Sequence, residues 1–160
     1  MKKIAAITLC VLLLASVLTG CSGTKEFTCQ ELTMTVPFYM SDASSQSDFK
    51  DFTFTLDSSK IAIFGIKEDF EDFPNGESTT LDEYAKLVIE ANELDTFASQ
   101  RSNYDYKYFR YESSSSDGLF KYLTAVYKGP DGFWSVQFAA KVADYDETAF
   151  FEYLDSVKFS

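Results

Sequence analysis

Chemistry in this chain has few residue types to draw on, because none of its 160 residues is histidine. That absence removes Ser–His and Cys–His nucleophile pairs, imidazole-ligated zinc and the commonest general base together. Carboxylates, hydroxyls and thiols remain. Ser47-Asp48-Phe49-Lys50 has the Ser-x-x-Lys spacing of serine acyl transfer. The Ser-Asp-Asn and Lys-Thr-Gly partners of that chemistry are missing and the chain is too short for its fold, so chance in a serine-rich loop accounts for the match. The densest carboxylate cluster is Glu68, Asp69, Glu71 and Asp72, with Asn75 and Glu77 close by. Calcium takes roughly six to eight oxygen ligands, but this spacing fits no EF-hand loop. A solvated acidic loop is the plainer reading and a calcium site the sharper one. No resident metal or organic cofactor is expected.

Aromatic residues make up 17% of the chain, and Tyr104, Tyr106, Tyr108 and Tyr111 crowd one region. At a period of two, Tyr104, Tyr106 and Tyr108 share one strand face. Such a row can line a groove for peptide or glycan, since each ring offers flat apolar area and a polar tip. The structural alternative is a cross-strand ladder covering a helix. Trp134, near a hairpin end, reads as core rather than as a membrane-dipping residue. Asp144, Asp146 and Glu147 read as helix-capping groups rather than as metal ligands.

The N-terminus carries an address. Lys2 and Lys3 precede an apolar run over residues 4–18, and small residues lead up to Gly20, the parts of a secretory signal peptide. A spanning helix needs about 20 apolar residues, more than this run supplies. Leu18-Thr19-Gly20-Cys21 resembles the bacterial lipoprotein cleavage box. That resemblance implies cleavage after Gly20, a diacylglyceryl group on the Cys21 thiol, and acyl chains such as palmitate holding the protein to the cell membrane on its extracytoplasmic face. One acyl chain holds weakly, whereas two hold stably. Ser22 is not an inner-membrane retention signal, and a Gram-positive surface is the expected one.

Removal of residues 1–20 leaves 140 residues, enough for one domain with a sizeable core. Lys plus Arg falls from 14 to 12 against 25 Asp plus Glu, a formal charge of −13. A domain of this sign is repelled by phosphate backbones and acidic headgroups, which excludes nucleic acid as a partner. Cys10 leaves with the leader and Cys21 is lipidated, so Cys29 is the one free thiol and no intramolecular disulfide can form. Without a neighbouring imidazole it reads as a small buried residue beside the first strand.

The elements that must position these residues follow from periodicity. Residues 21–30 read as a short lipidated tether and 31–160 as a single domain. Leu32, Met34 and Val36 alternate with Thr33 and Thr35 until Pro37, and Phe52, Phe54 and Leu56 alternate with Thr53 and Thr55. Residues 57–60 turn the chain, and 61–66 read as a central strand apolar on both faces. Leu81, Tyr84, Ala85, Val88 and Ala91 fall at helical spacing behind a Thr80–Glu83 capping box. Strands are expected again at 106–111, 119–128 and 133–142, joined by turn-forming segments. In the last of them Trp134, Val136, Phe138 and Ala140 share a face. A second helix carries Phe150, Tyr153, Leu154 and Val157 on one stripe, with Asp144 and Glu147 as its capping box.

The sum is an α+β domain, an antiparallel sheet of about six strands flanked by two helices. Leu32-Thr33-Met34-Thr35-Val36-Pro37 opening a meander, the helix near residue 81, the long hairpins and the closing Ser156-Val157-Lys158-Phe159 resemble the PsbP-like, or Mog1-like, sandwich domains of small bacterial lipoproteins. The resemblance covers residues 30–160 and carries no catalytic motif. It implies a non-enzymatic binding or assembly module, anchored in the membrane, with a protein or small ligand as partner. The alternative is a small-ligand or calcium-binding lipoprotein serving a transporter or envelope sensor.

Overall fold

The computed structural model describes residues 23–46, 50–56 and 61–160. Gly20 and Cys21, Ser47 to Phe49 of the Ser-x-x-Lys match, and the turn at 57–60 lie outside the described residues. The order of elements is β1 (Thr24–Cys29), β2 (Leu32–Pro37), β3 (Ser41–Asp42), β4 (Phe52–Leu56), β5 (Ile61–Asp69), α1 (Leu81–Ala91), β6 (Ser99–Gln100), β7 (Lys107–Ser115), β8 (Gly118–Lys128), β9 (Gly132–Lys141), α2 (Glu147–Leu154) and β10 (Lys158–Phe159). The six long strands read from periodicity are β2, β4, β5, β7, β8 and β9. Four further strands join them, so the sheet system is larger than the sequence pattern suggests.

All pairing is antiparallel. One sheet has the order β3-β4-β5-β9-β8-β7-β6 and the other β1-β2-β10. The period of two in β9 explains the layering. Trp134, Val136, Phe138 and Ala140 are buried on one face of the large sheet, against Leu32, Met34 and Val36 of β2 and Phe150 and Leu154 of α2. The alternate residue Phe133 packs on the opposite face with Tyr84, Ala85 and Ile89 of α1. The result is helix α1, the seven-stranded sheet, and then the small sheet with α2.

Segment 24–29, expected as tether, is an edge strand. Lys25, Phe27 and Cys29 alternate inward, and the Phe27 ring meets Phe52 and Phe54 edge-on at 5.1 and 4.7 Å. The burial of that ring outweighs the polar character of its neighbours. The C-terminus closes the same sheet, with Lys158 opposite Thr33 and Phe159 opposite Leu32, and the Ser160 amide donates to the Glu31 carbonyl at 3.1 Å.

The capping box of α1 is present as read. Thr80 Oγ1 accepts from the Glu83 amide at 3.2 Å, and the Glu83 carboxylate accepts from the Thr80 amide at 2.7 Å. For α2 the cap is Asp146, which accepts from the Ala149 amide at 3.1 Å, and not Asp144. Asp144 sits in a separate helical turn over 142–144. Glu147 is turned aside because Arg110 grips it through two hydrogen bonds of 2.8 and 2.6 Å.

Close packing requires glycine at position 65 of the large sheet. A Cβ on Gly65 would lie 2.2 and 2.4 Å from ring carbons of Phe52, whose backbone pairs with it across β4 and β5. The ring fills the place of the missing side chain and stacks beyond it on Trp134, 6.1 Å away.

Candidate functional site

Helix α1 covers only part of its face of the large sheet. The register places Phe64, Gln137, Thr124 and Phe109 in one row across β5, β9, β8 and β7, and Ala62, Ala139, Tyr122 and Tyr111 in the next. Between these rows and the helix lies a cleft of about 650 Å³, walled on one side by Leu87, Val88 and Ala91. That volume suits a small ligand or a short segment of chain.

The floor of the cleft is aromatic and carefully paired. Tyr111 and Tyr122 stack at 4.5 Å with an interplanar angle of 2°. The Gln137 amide donates to the Tyr111 hydroxyl and to Thr124 Oγ1, both at 2.6 Å. These bonds fix the amide and leave the Tyr111 hydroxyl proton free to donate into the cleft. Burial pushes the Tyr111 phenol up to about 12, with the neighbouring Tyr122 adding to the shift and the Gln137 bond opposing it. It is a neutral donor throughout the physiological range.

Charge enters the lining through one cation and one carboxylate. The Lys50 ammonium stands 3.2 Å from the centre of the Phe64 ring, a cation–π contact in which the ring face partly replaces lost water. Burial alone draws the Lys50 pKa below its ordinary value. Glu68 takes a 2.6 Å hydrogen bond from the Tyr84 hydroxyl. The Tyr84 phenol is raised far above its usual range by burial, and Glu68 adds to the rise. This arrangement offers flat apolar area, fixed donors and acceptors, and one charge of each sign.

The acidic cluster is dispersed. Glu68 and Asp69 are successive residues at the end of β5, so their side chains leave on opposite faces. Glu68 lines the cleft, Asp69 lies 3.6 Å from Lys67, and Glu71 and Asp72 sit exposed on a separate helical turn. Among the described residues no three acidic or thiol side chains gather where they could hold a metal ion.

The tyrosine row is likewise divided, since β7 begins only at Lys107. Tyr104 precedes the strand, after Asn103 in a left-handed conformation (φ 66°). Tyr106 is buried and donates to Asp155 at 2.5 Å, while Tyr108 meets Phe151 of α2 edge-on at 5.0 Å. Arg101 holds the same Asp155 through bonds of 3.1 and 2.7 Å, with its guanidinium 4.1 Å over Phe151. Burial pulls the Asp155 carboxyl up, but Arg101 and Tyr106 outweigh it and hold the group below its ordinary range. Tyr106 and Tyr108 fasten α2 to the sheet, while Tyr104 stays exposed.

Trp134 is core, as read. Its indole N–H donates 2.7 Å to Glu31. Glu31 in turn meets Lys67 at 3.2 Å, and Lys67 meets Asp131 at 2.9 Å. Cys29 is half-buried, and burial followed by the nearby Asp51 and Glu31 charges raises its thiol pKa, which makes it a poor nucleophile. Of the cleft residues, Phe64, Tyr122 and Gln137 were not singled out from sequence, while Lys50, Glu68 and Tyr111 entered only through the Ser-x-x-Lys match, the acidic cluster and the tyrosine-rich region. One signal was available: Gln137 is a lone amide inside the apolar run 133–140.

No protein-family model and no curated protein matches the chain. Solved structures do. A Bacteroides thetaiotaomicron protein known from a crystal structure is 10% identical with a TM-score of 0.59; the match covers 87% of this chain and 49% of that one, so the chain spans about half its length. The cyanobacterial PsbP (CyanoP) of Synechocystis, solved in solution, is 16% identical with a TM-score of 0.56, over 88% of this chain and 95% of that one. What this chain shares with them is its architecture: an antiparallel α+β sandwich with the fold of the PsbP-like domains.

Proposed function

We propose that this protein is a membrane-anchored extracytoplasmic lipoprotein that acts as a non-enzymatic binding or assembly module, and that it binds through the cleft under α1. The observation that carries the reading is the lining itself: a stacked tyrosine pair, a fixed amide and a lysine on an aromatic ring converge on space that α1 leaves uncovered. Hydroxyls are present there, but no imidazole exists in the chain to activate one. The anchor rests on the Cys21 box, and the acidic charge keeps the domain off phosphate and anionic surfaces.

The test places a photo-crosslinking amino acid at Leu87 on the cleft wall and irradiates intact cells. A discrete adduct that disappears when Tyr111 and Tyr122 are both changed to Ser, in a protein that still folds, is the expected result. An adduct indifferent to those changes refutes the cleft as the binding surface. Anchoring is tested separately by intact-mass measurement of the membrane-extracted protein beside its Cys21→Ser variant.

The size of the cleft favours a second reading, a small-ligand lipoprotein. Native mass spectrometry of the membrane-extracted protein distinguishes the two. A retained small molecule with no protein companion favours the second, and a protein at fixed ratio favours the first.

A further inference from the structure

The anchor and the fold together define a membrane-facing end of the molecule. β1 begins at Thr24, so a lipidated Cys21 lies three residues from the sheet, at most about 11 Å away even when extended. The expected ten-residue tether is absent as slack. Gly23 is itself fastened, because its carbonyl accepts from the Phe38 amide at 2.8 Å. Phe38 is 70% exposed and Tyr39 52% exposed. Both follow directly on Pro37, the β2 residue that pairs with Thr24 beside the anchor.

The register extends this edge into a face. Ser41 pairs with Thr55 and Leu56 with Ile61, so residues 38–40 turn at the end of the large sheet where β4 stops and β5 starts. Ile61 pairs with Ala140 and Ala140 with Lys121. Val142, just beyond Ala140, and Leu119, just before Lys121, therefore lie at the same end, and both are exposed. Single exposed apolar residues are ordinary. Four at the end of the domain that an acyl chain holds to a bilayer are not independent of that bilayer.

We propose that Phe38 and Tyr39 seat in the interfacial layer of the membrane that holds Cys21, with Leu119 and Val142 facing the same surface, and so fix the orientation of the domain. The proposal rests on the anchor reading above. Aromatic rings with one apolar and one polar edge favour the headgroup layer. The contact is apolar and not electrostatic. Asp42, Asp144 and Asp146 flank Tyr39, while Lys25, the nearest cation on β1, spends its ammonium on the Met40 carbonyl at 2.8 Å. Zwitterionic lipid suits this end, because the further cations described there, Lys121 and Lys141, are accompanied by Asp42, Asp144 and Asp146.

The experiment uses the full chain, expressed in a host that processes lipoproteins and reconstituted into phosphatidylcholine vesicles carrying brominated acyl chains. Phe38→Trp is compared with Leu87→Trp, which sits on α1 at the opposite face of the large sheet, with the buried Trp134 signal of the parent subtracted from both. Several-fold stronger bromine quenching of the new indole at 38 than at 87, unchanged at high salt, is the expected outcome. Equal quenching at the two sites, no quenching at 38, or quenching abolished by salt overturns the proposal. Circular dichroism checks that each variant folds. Intact mass separates the two readings: acylated protein with an unquenched indole at 38 refutes the seating alone, whereas protein without acyl mass removes the anchor and this inference with it.

Discussion

Glu31→Ala removes the carboxylate on which the core indole and the half-buried lysine both depend. Its side chain is 12% exposed, that of Lys67 is 10% exposed, and Trp134 is fully buried. Truncation orphans the indole N–H, a loss of about 1–3 kcal/mol for a buried donor without a partner. Breaking a buried pair outright costs about 3–5 kcal/mol, but Asp131 stays 2.9 Å from Lys67, so the ionic part is a fraction of that figure. We expect a total of about 2–4 kcal/mol for Glu31→Ala, and about 1–2 kcal/mol for Glu31→Gln, which keeps an acceptor for the indole. Trp134 is the only tryptophan, so its emission reports directly on the altered site. Urea unfolding followed by that emission and by far-ultraviolet dichroism gives both values, provided the slope with urea is unchanged. An alanine variant within about 0.5 kcal/mol of the parent, the range of neutral surface changes, refutes the reasoning. So does a glutamine variant as costly as the alanine one.

Gly65→Ala should cost about 1–3 kcal/mol by overpacking against Phe52, and Phe52→Leu in the same chain should recover part of the loss in a thermal melt. Asp155→Asn removes a carboxyl held below its ordinary range. The folded-state depression contributes stability that is fully present above the unfolded carboxyl value of about 3.9 and is lost as pH falls through the lower folded value. The parent should therefore lose stability in that acidic window, and the variant should lose less there in pH-dependent melts. Thr80→Ala should cost about 0.5–2 kcal/mol through the lost α1 cap, read as faster amide exchange in the first turn of that helix.

Periodicity was legible wherever an element buries one side. The alternation around Phe52, the Thr80–Glu83 box and the β9 run each specify an element by local chemistry. What stayed illegible is set by partners far away in the chain. β3, β6 and β10 are two residues long, too short for any period, and they exist because a longer strand offers them hydrogen bonds. Thr24–Cys29 reads as polar until Phe27 is seen against Phe52. The tyrosine row is divided because a period of two was carried back to Tyr104, ahead of the strand that begins at Lys107. The cleft draws two or three alternate residues from each of β5, β7, β8 and β9, with α1 and the segment before β4, so no linear motif marks it. Besides Gln137, a trace was the run 61–66, apolar on both faces, which signals a second packed surface on the sheet.

The pairing of β10 with β2 has a consequence for biosynthesis. Lys158 pairs with Thr33 across 125 steps of chain, so one edge of β2 stays open until β10 is available to it. Contacts of such long separation form late and slowly. A chain that emerges in stages, from a ribosome or through a membrane pore, therefore cannot complete its small sheet until β10 has emerged.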